Sequence, residues 1–185
     1  KNGEDLAYRA GFPALPDEII KLLGRYKYRF SYGQNLAKHT LEMIQIGEFI
    51  AKEVGADVQS VKLACLMHDI GKVMNTEIEG KPHHHISADI CRKHKMNEKV
   101  INAVEAHHGD LPSKCIEAEV LKIADSISGS RPGARRENYE DYIKRIRALE
   151  DIANSYKGVK ETFAVHAGRE VRVIVKPEDL SDDET

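Results

Sequence analysis

Tryptophan is absent from this chain of 185 residues, and aromatic residues are only 6% of it, so the core has to be assembled from aliphatic side chains and alanine. Cysteine is scarce as well: Cys65, Cys91 and Cys115 are odd in number, widely spaced and set among apolar neighbours. That excludes a disulfide scaffold and reads as three small core residues in a reducing compartment. No stretch approaches the roughly 18 apolar residues of a membrane span, and no secretory leader is recognisable, so a soluble chain is expected. A surplus of one charge is also missing: 31% of the residues are charged, yet they cancel to a net −2, so any surface made for a polyanion must be local. The chain begins at Lys1 and not at methionine, which reads as a piece cut from something longer. Its 41% apolar content is enough for one helical domain.

What the chain does have is histidine beside acid. In Leu66-Met67-His68-Asp69-Ile70-Gly71-Lys72, a His-Asp pair closes an apolar run in which Val61, Ala64, Cys65 and Met67 recur at near-helical spacing. The segment from about Asp57 is therefore expected to be a buried helix. Adjacent side chains on a helix point about 100° apart, so both members of the pair reach one ion only if the backbone turns there, and Gly71 is expected to permit the turn. Alone, such a pair reads better as a satisfied core histidine and a cap. It is not alone: His39, His68 and Asp69, His83, His107 and His108, and Asp125 fall in or beside five separate helical segments. Imidazole and carboxylate together suit iron, manganese, zinc or magnesium, and no cysteine is placed to join them, which argues for a catalytic and not a structural site.

Along the chain, residues 1–16 read as a loosely held, turn-rich lead-in. Asp17 is expected to cap a short helix through Leu23 that Gly24 stops. Arg25 to Gly33 interleaves cations with Tyr26, Tyr28, Phe30 and Tyr32; such a stretch either stacks bases and holds phosphates or packs its rings on the domain. Gln34 to Val54 has a helical stripe with His39 beside it, Gly55 ends it, and Asp57 starts the next helix. A loop is expected over 73–82, then His83, His84 and His85, any one of which is eligible as a ligand on chemistry alone. Helices follow from Ile86 and from Asn97, the second ending at His107-His108-Gly109-Asp110, which makes two metals feasible. Ile116, Val120, Ile123 and Ile127 mark another helix, with Asp125 among small neighbours. Ser128 to Arg136 reads as a loop that its glycines and Pro132 keep from helix. Its Arg131, Arg135 and Arg136 are either phosphate contacts or a solvated charged loop. An amphipathic helix from Tyr139 to Tyr156, a β-hairpin from 162–165 and 171–175, and an acidic tail complete the chain.

The order His, His-Asp, His, His-His, Asp resembles the HD-domain phosphohydrolases, and His68-Asp69-Ile70-Gly71 matches the subgroup called HDIG. Further stretches narrow the likeness: Lys21-Leu22-Leu23-Gly24-Arg25, Ser31-Tyr32-Gly33-Gln34-Asn35, His107-His108-Gly109-Asp110, Arg131-Pro132-Gly133-Ala134-Arg135-Arg136-Glu137, and Ala167-Gly168-Arg169-Glu170-Val171-Arg172 with Val175-Lys176-Pro177. From about Gly11 to Pro177 the chain is similar to the C-terminal HD region of the ribonuclease Y family. The resemblance implies a mainly α HD-domain helical bundle with a small C-terminal β-hairpin, divided as a lead-in over 1–33, a metal-binding helical core over 34–158, a hairpin over 159–177 and a tail over 178–185.

It also implies an endoribonuclease-type, metal-dependent phosphodiester hydrolase acting on single-stranded RNA. His83 is the family match among the three consecutive histidines. One ion would be held by His39, His68, Asp69 and Asp125; in a dinuclear version Asp69 bridges and His83, His107 and His108 hold a second. The expected cofactor is thus one or two divalent ions of manganese, iron, zinc or magnesium, which activate water and act as Lewis acid. His68 and Asp69 are the catalytic pair, with Lys72 either meeting a phosphate or standing as a surface lysine. Two rivals stay open: a cyclic-dinucleotide or nucleotide phosphohydrolase, and a non-catalytic RNA-binding or oligomerisation module. The expected setting is cytoplasmic, with any membrane tether in a segment N-terminal to this sequence, no membrane contact from the stretch itself, and room for a homodimer.

Overall fold

The computed structural model describes residues 1–74, 81–131, 139–165 and 170–176. They fall into two compact units, Lys1–Arg135 and Arg136–Thr185. The fold is mainly helical with a small antiparallel hairpin near the C-terminus, as expected.

In the first unit, α1 (Asn2–Ala10) and α2 (Asp17–Arg25) pack on each other, and a 3-10 turn (Tyr26–Tyr28) leads to a two-residue hairpin, β1 (Phe30–Ser31) and β2 (Gln34–Asn35). Then come α3 (Leu36–Val54), α4 (Val58–Met67), a 3-10 turn (Ile70–Val73), α5 (His83–Lys93), α6 (Glu98–Ala106) and α7 (Ile116–Ser130). Helix α3 packs against both α4 and α7, and α6 against α4, α5 and α7. The core is aliphatic, with Leu23, Leu36, Met43, Leu66, Met67, Ile70 and Leu121 closed off from water. Each such side chain contributes about 1.5–3 kcal/mol of apolar burial. Alanines at 64, 103, 118 and 124 let the helices approach, and Tyr26, the buried ring of the set, donates its hydroxyl to Leu66 O at 3.1 Å. Among the described residues, three helices start on side-chain caps: Asn35 accepts from Lys38 N, Asp57 from Ser60 N and Asn97 from Val100 N.

Several expectations need correcting. Residues 2–10 are helical, because Leu6, Ala7 and Ala10 form an inward face. Helix α2 takes Pro16 as its N-cap, with Asp17 inside the first turn, and runs through Gly24 to Arg25. Helix α5 starts at His83, directly after Pro82, so the histidine run lies within a helix and not before one. Helix α7 continues through Ser128 and Gly129, both buried, to Ser130. It stops at Arg131 (φ −63°, ψ 146°), the extended backbone favoured before a proline. Its inward face is Ala118, Val120, Leu121 and Ala124, whereas Ile116, Ile123 and Ile127 are exposed.

The second unit comprises α8 (Tyr139–Asn154), β3 (Val159–Val165) and β4 (Glu170–Val175). The strands pair antiparallel from Val159↔Val175 to Val165↔Glu170, and Ala164 N donates to Glu150 on α8 at 3.0 Å.

One buried carboxylate ties three parts of the first unit together. Glu117 on α7 accepts from Asp57 N, at the start of α4, at 3.0 Å and from Lys99 on α6 at 2.7 Å. Burial acts to raise its pKa, but Lys99 and the Asp57 N–H prevail and bring it down to about 2. A carboxyl depressed on folding adds stability above its unfolded pKa of about 4.3, and that stability is lost as pH falls toward the folded value. Glu117→Gln is therefore expected to cost on the order of 2 kcal/mol at neutral pH, with the gap to wild type closing between about pH 4.5 and pH 2. Denaturant titrations across that range check it; a gap that does not change with pH would contradict it.

Candidate metal centre

Helix α4 ends at Met67; His68 keeps helical dihedrals, but Asp69 sits at φ −108°, ψ 12°, in the sparsely allowed bridge region between helix and strand. The chain turns there, and both side chains swing to one side, His68 Nε2 lying 3.2 Å from Asp69 Oδ2. Gly71 serves a different purpose from the one expected. Its backbone is ordinary, but a Cβ on it would stand 2.2 Å from His83 O and 3.1 Å from Ile86 Cβ. Glycine is required so that α5 can lie directly on the turn. Ser87 fastens the contact, its hydroxyl accepting from Gly71 N at 2.9 Å and donating to His83 O at 2.9 Å. His83 is thereby brought over Asp69, with Nε2 at 3.3 Å from Oδ1.

Three histidines are anchored in one way. His68 Nδ1 lies 2.8 Å from Cys65 O and His107 Nδ1 lies 2.7 Å from Val104 O. A carbonyl only accepts, so both Nδ1 atoms carry hydrogen and donate. His39 Nδ1 lies 2.9 Å from Ser128 Oγ, whose own hydrogen goes to Glu42 Oε2 at 2.7 Å, so this ring also donates from Nδ1. A ring held by Nδ1–H presents, when neutral, an Nε2 lone pair, the arrangement of metal-ligating histidines.

Those lone pairs converge on Asp69. Nε2 of His68, Nε2 of His107 and Oδ1 of Asp69 are buried and have no hydrogen-bond partner. Such atoms are costly to leave unmet unless something fills the space between them. Ligand atoms of His39, His68 and Asp69 lie within 4.8 Å of one another, and so do those of Asp69, His83 and His107. The two groups share Asp69. Asp125 Oδ1 adds a carboxylate 3.1 Å from His39 Nε2, and His108 Nε2 lies 2.9 Å from His83 Nε2. His84 and His85 both place Nε2 on Asp110 Oδ2, at 2.7 and 3.3 Å, and a ligand atom of His84 also lies within 4.8 Å of those of His83 and His108. A further group, His84, His85 and Asp110, also meets the spacing for a cation.

Burial opposes a charge on His68, yet the Asp69 carboxylate outweighs it and raises the imidazole's pKa. Burial likewise acts to raise Asp69, but His68, His83 and Lys72 hold its pKa well below the usual carboxylate range. Burial and the neighbouring His68 push His107 down to about 3, so that ring stays neutral. His108 is also lowered, through burial and the nearby His83 and His84. The centre therefore calls for positive charge beside Asp69 that its outer histidines do not supply. Lys72 supplies part of it, with Nζ 2.8 Å from Asp69 Oδ2. A divalent cation fits the donor set: imidazoles anchored through Nδ1, two carboxylates, and buried atoms that make no hydrogen bond.

His39, Asp69, Lys72, His108 and Asp125 line a cavity of about 70 Å³, together with Ser31, Tyr32, Gln34 and Leu36. Of the residues expected from sequence to serve the site, the structure thus brings together His39, His68, Asp69, Lys72, His83, His107, His108 and Asp125. Arg131 is close but engaged, its guanidinium paired with Glu42. Arg135 and Arg136 lie outside the described residues. Sequence reasoning missed Glu42, Ser128, Gln34, Ser87 and Asp110. The first three form one network, in which Ser128 also receives Gln34 Nε2 at 3.3 Å. Only the helical register of Glu42, one turn after His39, could have hinted at it.

Residues 36–130 match the HD domain family. The ligand groups around a His-Asp turn lie inside that span, and the chain belongs to the HD domain family. Curated relatives named Ribonuclease Y are similar along nearly its whole length: that of Alkaliphilus metalliredigens is 50% identical over 184 residues, covering 100% of this chain and 38% of the relative. Those of Clostridium novyi and Syntrophomonas wolfei are 49% identical over 182 residues and 48% over 180, covering 98% and 97% of this chain and 36% and 35% of theirs. The chain thus spans little more than a third of the length of these relatives. No solved structure matches it.

Asp69→Ala is expected to fold and to lose its metal, because every ligand group at the turn includes Asp69. His84→Ala and His85→Ala should keep theirs. Gly71→Ala should displace His83 and lower metal content while sparing His39 and His68. Elemental analysis beside thermal midpoints decides these, and equal metal in Asp69→Ala and wild type would overturn the assignment.

Proposed function

We propose that this HD domain is a metal-dependent hydrolase that cuts phosphodiester bonds in single-stranded RNA. The observation that carries the reading is the set of buried ligand atoms of His68, Asp69 and His107 that face one another without a hydrogen bond. His39, His68, Asp69 and Asp125 would hold one cation, and His83, His107 and His108 a second that shares Asp69. Five imidazoles against two carboxylates favour manganese, iron or zinc over magnesium, which prefers oxygen. When bound, such ions supply an activated water at neutral pH and offset charge on the phosphoryl oxygens.

The protein's own part is positional. Cys65 O and Val104 O fix the rings of His68 and His107, while Ser128 and Glu42 fix His39. Lys72, which pairs with Asp69 and lines the same cavity, would meet a substrate phosphate there. Arg131 supports His39 through Glu42 and Ser128, a role we prefer to the phosphate contact expected from sequence. Arg135 and Arg136 remain candidates for phosphates flanking the scissile one.

RNA as substrate follows the name of the relatives, and a strand rather than a single nucleotide is supported by a second groove that shares Lys72 with the metal cavity. Among the described residues no helix is long and apolar enough to cross a membrane. We place the chain in the cytoplasm, with room for a homodimer and for a membrane tether N-terminal to this stretch.

With Mn²⁺, single-stranded RNA should be cleaved and a cyclic dinucleotide or deoxynucleoside triphosphate turned over far more slowly. Chelator should abolish cleavage, and Asp125→Ala should lower it by about a hundredfold or more. Cleavage that survives chelation, or turnover of the small nucleotides alone, would defeat the reading.

A further inference from the structure

The stretch from Arg25 to Tyr32 is not absorbed by the metal chemistry. Its first ring, Tyr26, is buried and bonded to Leu66 O on the helix that carries His68. Its other rings face outward, with Tyr28 72%, Phe30 60% and Tyr32 77% exposed. The segment is held rigidly despite that exposure: Asn35 Nδ2 donates to Lys27 O at 2.9 Å, Leu36 N donates to Arg29 O at 2.9 Å, and β1 pairs with β2 as Phe30↔Asn35 and Ser31↔Gln34.

The two residues at the hairpin tip, Tyr32 and Gly33, have φ of 50° and 80°. A tight hairpin turn with both residues in the left-handed region favours Asn-Gly, and a tyrosine there costs about 1 kcal/mol. Exposed, strained and aromatic is an uneconomical way to build a turn, and backbone strain of this kind collects where a side chain is needed in one place.

The place is the metal cavity, which Ser31 and Tyr32 line together with Asp69, Lys72 and Asp125. Lys72 also lines the adjoining groove, with Arg25, Tyr28, Arg29, Val73 and Met74. Among the described residues, none of the side chains lining that groove is acidic, although the chain as a whole is slightly acidic. Lys27 Nζ sits 5.8 Å over the Tyr28 ring, keeping that ring in a cationic setting. Rings interleaved with cations, continuous with a phosphodiester site, match what a single strand presents: flat bases joined by phosphates.

We infer that residues 25–32 form a stacking platform for single-stranded nucleic acid, running from the metal cavity past Lys72. Tyr32, Phe30 and Tyr28 stack bases of the strand, and Arg29 and Lys72 hold its phosphates, beside Arg25, whose guanidinium donates to Val73 O at 2.9 Å. Because every base has a flat face, grip on this track tolerates any sequence. The inference rests on the phosphodiesterase reading above but concerns binding, which is measurable without cleavage.

The test is anisotropy of a short labelled RNA with chelator present, beside the same strand made abasic. Tyr28→Ala, Phe30→Ala and Tyr32→Asn, the last suited to a left-handed φ, should each weaken binding of the normal strand about tenfold and leave the abasic strand unaffected. Arg29→Ala should weaken both and lower the log–log salt slope by about 0.7. Phe49→Ala, another exposed ring, on the outer face of α3, should change neither. Thermal midpoints and sedimentation of the same proteins report folding and mass. Ring variants that fold and bind the normal strand as tightly as wild type overturn the platform, as do variants that change sedimenting mass without changing affinity, which would make the rings an interface between copies. A wild type that cuts no phosphodiester with Mn²⁺ while its rings still govern affinity would defeat the hydrolase reading and leave the platform standing.

Discussion

Asp69 is a carboxylate that is only 2% exposed, placed where α4 has just ended and facing the nitrogens of His68 and His83 and the ammonium of Lys72. A charge so removed from water is tolerable only among compensating charges. Much of the first unit can be understood as meeting that demand. Helix α4 delivers the His-Asp turn, α3 brings His39, α5 brings His83, α6 brings His107 and α7 brings Asp125. Their packing around a small-residue core decides how closely these donors approach.

Distances within the site are set by groups one step further out. Backbone carbonyls of the preceding turn fix two rings, a hydroxyl and a carboxylate fix a third, and the missing Cβ of Gly71 sets how near α5 lies. Arg131, Glu42, Ser128 and His39 form a relay from the surface to the cavity. A change at Arg131 would thus be felt at an imidazole it does not touch. The same outer layer joins site to platform, since Gln34 in β2 also bonds Ser128.

Most of the helical order was legible because apolar periodicity and Asx caps coincide, as at Asp57 and Asn97. Helix α1 was not, since its inward face is two alanines, a glycine and one leucine, too faint a stripe to read. The end of α7 was misjudged because Ser128 and Gly129 look like loop residues until their burial against α3 is known. The seven ligand-type side chains could be singled out by residue type and order, but chemistry left His83, His84 and His85 equivalent. Only tertiary contact separates them, one on Asp69 and two on Asp110. Glu42 and Ser128 were beyond reach, being common residues joined across 86 positions.

The central claim is that Asp69 is shared between two cation positions, one toward His39 and His68 and the other toward His83 and His107. Diffraction from crystals loaded with Mn²⁺, recorded to show anomalous scattering, addresses it without reference to activity. The account expects two peaks about 3.5–4 Å apart flanking the Asp69 carboxylate. Density confined to His84, His85 and Asp110, with none at Asp69, would contradict it.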